Sequence, residues 1–337
     1  MVVSIIGGGA IGSYLAYQLT GHGIPCELVV KPHQMDHFQD GVRLLGRKFA
    51  RVHPVKVVTE VSETSDRVIV AVKLPDLEST VKTLADVSGT AARSYLFLQN
   101  GLVALDLAAQ YLPIELLYGG VALFAVNSLQ LGTVQLSQKG PLVVGGLQRG
   151  GTAALKQWQA LLSSSLKVLC SRDIRAVQRL KLVLNLNNGL AAATGLSLQE
   201  LYAYRAGVVL SLRLMREGLE CFQALKLSLA APDRRGHLLL LIPHLPERLA
   251  VVLMRRMVSQ ALPREPIYLS ALQSILRGRT SEVPALNGEV VRMAQRIGRS
   301  APYNQAVMEA VQKVEASGRP PQFFPLVALF GQANRQT

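Results

Sequence analysis

The sequence predicts an α/β chain: an N-terminal doubly wound sheet followed by an all-helical second domain. Three observations lead there. A short apolar run, Val2–Ile6, feeds directly into a glycine-rich turn and then a helical pattern. Apolar strand-like runs alternate with helical ones through the first half, the order of a parallel sheet with crossover helices. From Asp173 onward strands nearly vanish and long helical periodicities take over. The boundary is expected near Cys170–Ser171, giving domains at 1–170 and 171–337.

The turn reads Gly7-x-Gly9-x-x-Gly12, with a helix over Ser13–Gly21. Gly7 permits a tight strand-to-helix turn, Gly9 keeps the backbone open to a pyrophosphate, and Gly12 lets the helix pack on the strand. The helix N-terminus offers unpaired N–H groups to an anion. Glycine-rich turns are common, but one placed after a strand and before a helix points to a Rossmann-type dinucleotide site. Its residues would be Gly7, Gly9, Ala10, Ile11 and Gly12. The alternative is an α/β turn without a ligand.

The second strand is expected at Cys26–Val30. The residue closing it discriminates cofactors: an acid binds ribose hydroxyls, whereas a base accepts a 2′-phosphate. Lys31 stands there, and Glu27 lies too early, inside the strand. The reading is therefore NADP (NADPH in its reduced form), against a merely solvated loop lysine. Val55–Val57 and Arg67–Val72 follow as strands, the latter leading to Lys73 at the ligand edge of the sheet. Tyr95–Leu98 leads to Gln99-Asn100-Gly101. Asn-Gly is a turn signal, yet at that edge the Asn100 side chain can also bond a cofactor or substrate oxygen. Strands at Leu117–Val121, Gly132–Leu136, Leu142–Val144 and Val168–Leu169 complete the domain, with a helix at Ala153–Ser163 that buries Trp158.

Composition narrows the partners. The 337 residues are 49% hydrophobic, ample for sizeable cores. The net charge is +14, but Lys and Arg are scattered in runs of at most two and no aromatics interleave with them. That favours small anionic ligands over nucleic acid. Cys26, Cys170 and Cys221 are few, odd in number and far apart. They suit a reducing cytoplasm and form neither a disulfide framework nor a metal site. No uncharged apolar stretch approaches about eighteen residues, so no membrane span is expected.

In the second domain a single helix is expected from Asp173, its N-cap, to Thr194, with Gly195 as its stop. Lys181, Asn185 and Asn188 would fall on one face at i, i+4 and i+7. Polar groups on an otherwise apolar helix need partners. A ligand is one; loops of the first domain are another. Further helices are expected at Leu201–Leu227, Arg248–Ser259, Ser270–Leu276, Pro284–Ile297 and Asn304–Ala316, with Pro232–Leu245 irregular. The apolar tail Phe323–Phe330 would pack on the body or on another subunit, which leaves a homodimer open.

Together these motifs resemble the ketopantoate reductase (2-dehydropantoate 2-reductase) family over almost the whole chain. The marks are Gly7-x-Gly9-Ala-Ile-Gly12, Ala71-Val-Lys73 and Leu98-Gln-Asn100-Gly101 in the first half. In the second they are Lys181-Leu-Val-Leu-Asn185-Leu-Asn-Asn188, Arg277-Gly-Arg-Thr-Ser-Glu282, Leu286-Asn287-Gly288 and Ala301-Pro302-Tyr-Asn304. The resemblance implies NADPH-dependent reduction of a small anionic 2-keto acid, in a cleft between a Rossmann domain and a helical one. It implies Lys181 as the group that protonates the ketone oxygen and Glu282 and Asn185 as substrate-positioning groups. It further implies Ser270 at the carboxylate end, and Asn100 and Lys73 between cofactor and substrate. Two positions depart from the family pattern. Position 189 is Gly where a second Asn often stands, with Asn188 the nearest match. The pattern Ser-x-x-x-Asp reads Ser270-Ala-Leu-Gln-Ser274. The missing acid leaves open a reductase of a different 2-keto acid, or a decayed nucleotide-binding sensor.

Overall fold

A computed structural model describes residues 2–46, 49–87, 93–148, 153–232, 234–261 and 265–333. The chain divides into two units, 1–177 and 178–337.

The first unit runs β1 (Val2–Ile6), α1 (Ala10–Gly21), β2 (Cys26–Val29), β3 (Val42–Leu45), β4 (Ala50–His53), β5 (Lys56–Val58), β6 (Ser65–Val70), α2 (Leu77–Val87), β7 (Ser94–Phe97), α3 (Val103–Ala108), β8 (Leu117–Ala122), β9 (Ala125–Gln130), β10 (Thr133–Gln138), β11 (Leu142–Gly146), α4 (Ala153–Ser163) and β12 (Val168–Cys170). Eight strands form the main sheet in the order β12-β11-β8-β7-β6-β1-β2-β5. All neighbours are parallel except β8 with β11. β2, β7, β8 and β11 are buried along their whole length, so β8 and β11 read as continuous apolar runs rather than alternating ones, while β2 and β7 each carry one polar residue, Glu27 and Ser94. Leu15, Leu19, Ile69, Leu96 and the fully buried Trp158 fill the core around the sheet, as expected of Trp158.

A second, four-stranded sheet has the order β4-β3-β10-β9. Of these only β10 is legible in the sequence. β4 is mostly exposed and β9 half-buried to exposed, so neither carries a buried apolar run, and the backbone ladder to β3 and β10 holds them.

Glu27 is buried inside β2 and is spoken for within the protein. Its carboxylate accepts bonds from Ser4 Oγ (2.7 Å), Ser62 N (2.8 Å), Ser62 Oγ (2.6 Å) and Lys56 Nζ (3.2 Å). Burial alone would raise its pKa; the bonds from Ser62, Ser4 and Lys56 outweigh that and hold it below the usual carboxylate range. Its folded pKa lies below the unfolded one. The stabilisation is therefore present above the unfolded value and is lost as pH falls through the folded value. Glu27→Ala is expected to cost about 2–4 kcal/mol in urea unfolding at neutral pH, since bonds to a charged group contribute about 1.5–3 kcal/mol each. The gap to wild type should narrow below about pH 4. An unchanged midpoint at neutral pH would show that the network is not structural.

The division between units falls within α5 (Ile174–Asn185). The second unit continues with α6 (Asn187–Thr194), α7 (Leu198–Ala203), α8 (Arg205–Ala224), α9 (Arg234–Leu241), α10 (Glu247–Ala261), α11 (Ser270–Leu276), α12 (Val283–Arg296), α13 (Pro302–Ala316) and α14 (Leu326–Ala333). Three expectations are corrected here. The helix expected over 173–194 breaks at Leu186, and the one over 201–227 breaks at Tyr204, which is extended. At the second break Gly207 lets α8 pack on α7: a Cβ there would lie 2.1 Å from the Leu201 carbonyl oxygen. The segment expected to be irregular forms α9, two turns long, ended by Pro243 in a 3-10 turn, Ile242–His244. The apolar tail folds onto its own unit: Phe324 N donates to the Ala193 carbonyl (2.8 Å) and Leu329 is buried. No helix of the described residues is long and apolar enough to cross a membrane.

Candidate active site

The glycine loop leaves the C-terminal edge of β1, and its three key glycines differ in what surrounds them. Gly7 has φ +112°, and a Cβ there would stand 2.9 Å from the backbone of Ala71 and Val72. A Cβ on Gly12 would lie 2.0 Å from the Gly7 carbonyl oxygen. These two glycines are required by backbone packing. Gly9 is different, because a Cβ there would meet nothing within 4 Å. It is the N-cap of α1, with no side-chain cap and no acidic residue in the first turn. Ala10, Ile11 and Gly12 form that turn, whose N–H groups have no intrahelical acceptor. An open Cβ position over an uncapped helix N-terminus fits a pyrophosphate.

Lys31 follows β2 and Lys73 follows β6, each extended and exposed. Lys31 Nζ bonds Asp76 Oδ1 at 2.9 Å. Half-buried Asn100 follows β7, just before Gly101 at φ +87°. Gln99 fastens this segment to its neighbour: its Nε2 donates to the carbonyls of Val70 and Val72, both at 3.0 Å. Asn100 is thereby tied to the exit of β6.

Asp173 caps α5 by accepting from Ala176 N at 3.0 Å, and in the helical unit Gly195 ends α6 at φ +72°. Between them, Lys181 and Asn185 lie on α5, one turn apart and half-buried. Burial pushes the Lys181 ammonium down from its ordinary 10.5 to about 8, while the Glu282 carboxylate pulls it back up. Beyond the break, Asn188 sits on α6 rather than on the face of α5. Its Nδ2 donates to the Asn185 carbonyl (3.1 Å) and its Oδ1 accepts from Ser270 Oγ (3.1 Å). So Asn185, Asn188 and Ser270 come together through protein bonds. Gly189 explains the missing asparagine: a Cβ there would stand 2.4 Å from Asn287 Oδ1 and 2.7 Å from Val307.

Ser270 opens α11, exposed, with half-buried Ser274 one turn on. The helix ends in a Schellman turn: Gly278 is at φ +68°, its N–H reaches the Ile275 carbonyl, and Arg279 N–H reaches that of Ser274. The turn carries the chain to Glu282 at the start of α12. Ser281 supplies the capping oxygen to Val283 N and is itself fixed by Glu315. That leaves the Glu282 side chain uncommitted to capping.

The support beneath this site was not legible as a unit. Glu217 of α8 takes both first-turn N–H groups of α13, those of Tyr303 and Asn304, at 2.9 Å. Burial raises its pKa against those bonds. Asn304 Nδ2 also bonds Glu217 (2.8 Å), and Asn287 Nδ2 bridges Asn304 Oδ1 and the Leu186 carbonyl at the helix break. Asn287 and Asn304 stand out in the sequence as motif positions; Glu217 reads only as one helix charge among several.

Residues 3–149 match the family described as ketopantoate reductase PanE/ApbA, and residues 173–315 match its C-terminal model. A 2-dehydropantoate 2-reductase of Archaeoglobus fulgidus is 24% identical over 317 residues, 93% of this chain and 98% of that one. Among solved structures, a PanE/ApbA family ketopantoate reductase from Ralstonia eutropha JMP134 superposes with TM-score 0.77 at 24% identity, covering 94% of this chain and 99% of that one. D-mandelate dehydrogenase, solved with NADH and anilino(oxo)acetate, gives 0.79 at 22%, with the same coverage. These two likenesses establish the fold. With both of its halves matched in order by the family models, the chain belongs to the ketopantoate reductase PanE/ApbA family of oxidoreductases.

Proposed function

We propose that this protein reduces a 2-keto acid to the 2-hydroxy acid with NADPH, and that 2-dehydropantoate (ketopantoate) is its first candidate substrate. The observation that carries the reading is Lys181, an ammonium whose pKa is brought to about 8 by burial, coupled to Glu282. NADPH, when bound, supplies the hydride and leaves as NADP⁺. Gly7, Gly9, Ala10, Ile11 and Gly12 hold its pyrophosphate, Lys31 its 2′-phosphate, and Lys73 and Asn100 the nicotinamide side. As the keto carbon is reduced, the carbonyl π pair passes to oxygen, and Lys181 stabilises that charge and delivers the proton. Such acid catalysis contributes about 10²–10⁴-fold. Glu282 keeps Lys181 charged and accepts a bond from the substrate hydroxyl. Asn185 and Ser270 orient the substrate. Asn188, with both ends of its amide engaged, acts by positioning Ser270. The free cysteines suit a reducing cytoplasm. The test is NADPH consumption against a panel of 2-keto acids. Turnover of at least one supports the reading; turnover of none, with nucleotide bound, would favour a decayed sensor.

A second reading, a bulkier keto acid, is favoured by one observation: Ser274 stands where the family pattern has Asp, one turn from Ser270. A neutral, smaller serine leaves room and removes a charged acceptor. Loss of one charge-assisted bond, about 1.5–3 kcal/mol, corresponds to roughly 10–100-fold in kcat/KM. Ser274→Asp should therefore raise kcat/KM for ketopantoate relative to a phenyl-bearing keto acid by about that factor. An unchanged ratio would remove position 274 from specificity.

A further inference from the structure

β2 and β6 flank β1 in the main sheet, so the chain segments leaving them are about 10 Å apart. Lys31 lies two residues beyond the end of β2, and Asp76 closes the turn Leu74–Asp76 after β6. Their side chains nevertheless meet at 2.9 Å. The pair therefore reaches across the C-terminal edge of β1, from which the glycine loop departs. Asp76 is held in place by its backbone: its N–H bonds the Lys73 carbonyl, and its own carbonyl takes the hydroxyls of Ser79 and Thr80. The side chains are less constrained, 57% exposed for Lys31 and 47% for Asp76. A pair that exposed is weak, and either partner can turn to a ligand.

We propose that Asp76 is a second determinant of nucleotide choice, opposing Lys31: its carboxylate competes with a ribose 2′-phosphate for the lysine and accepts a bond from a plain ribose 2′-hydroxyl. The inference rests on the reading that places the adenosine end at Lys31. A carboxylate touching the Lys31 ammonium lies within about 6–7 Å of any phosphate bonded to the same ammonium. Like charges at that range in a solvated site cost about three- to tenfold in binding. A carboxylate accepts and does not donate, so it gains from a hydroxyl and loses from a phosphate. The acid that reads the ribose in NAD-binding sheets lies beyond the glycine turn, on the second-strand side. Here that place holds lysine, and the acid arrives from the opposite side of β1. A reading of β2 alone does not find it.

The test is equilibrium titration of 2′,5′-ADP and of 5′-AMP into wild type, Asp76→Asn, Asp76→Ala and Lys31→Ala, with no turnover involved. Both Asp76 variants are expected to bind 2′,5′-ADP about three- to tenfold more tightly and 5′-AMP no more tightly. Lys31→Ala is expected to lose affinity for 2′,5′-ADP alone. If the affinity ratio in the Asp76 variants equals that of wild type while Lys31→Ala still loses 2′,5′-ADP, Lys31 reads the phosphate without Asp76 and the inference is overturned. If Lys31→Ala leaves 2′,5′-ADP unaffected, the underlying reading fails and the inference with it.

Discussion

Replacing Lys181 by alanine is expected to lower kcat for keto-acid reduction by about 10²-fold or more, with nucleotide affinity within about twofold of wild type. The variant loses the proton donor and the charge that meets the developing oxyanion, and both act only as hydride arrives. Stability supplies the control. Burial holds the folded pKa of Lys181 below that of the unfolded chain, so at neutral pH the unfolded state is the better home for the charge. Removing the ammonium should leave the melting temperature no lower than that of wild type. Near-native turnover in this variant would exclude Lys181 from the chemistry. A large loss of stability would instead assign it to the scaffold.

Replacing Gly9 by alanine should weaken nucleotide binding by about tenfold or more while leaving the fold intact. The backbone there, φ −75° and ψ −173°, is open to any residue, and the added methyl meets no protein atom. Its cost falls on whatever approaches the loop: overpacking by one methyl costs about 1–3 kcal/mol, and 1.4 kcal/mol is tenfold. Gly12→Ala provides the contrast. Its Cβ would collide with the Gly7 carbonyl oxygen at 2.0 Å, so it should lose stability first and binding as a consequence. Unchanged nucleotide affinity in Gly9→Ala would mean that the pyrophosphate does not cross this residue.

Much of the first unit was legible because its local signals agree. The glycine turn, the buried parallel strands and Trp158 each follow from short-range pattern, and the structure differs at their ends by only a residue or a few. β3, β4 and β9 were not legible, because these short strands carry no buried apolar run: of their residues only Val42 lies in the core. The breaks at Leu186 and Tyr204 were missed for another reason. Apolar periodicity runs straight through both, and the close approaches of Gly189 to Asn287 and of Gly207 to the Leu201 carbonyl depend on how the helices pack. The candidate site divides in the same way. Lys181, Asn185, Asn188, Ser270 and Glu282 stand out through motif order along the chain. How they are held does not: the Asn188–Ser270 bond, the Glu217–Asn304–Asn287 network and the Gln99 tie between β6 and β7 join residues from 17 to 87 positions apart. Asp76 illustrates the same limit, since its significance comes from the strand order rather than from its neighbours in sequence.

The central claim is that Lys181 gives the proton in a nucleotide-dependent 2-keto acid reduction. It is tested most directly by the pH profile of kcat/KM, measured from about pH 6 to pH 10 on wild type and Lys181→Arg. A general acid works while protonated, so wild-type reduction should be level at low pH and fall as pH rises through about 8. Arginine stays charged throughout this range, so in Lys181→Arg the fall near pH 8 should disappear, whatever activity remains. A wild-type profile that stays level to about pH 10, or the same fall retained in Lys181→Arg, would contradict the account.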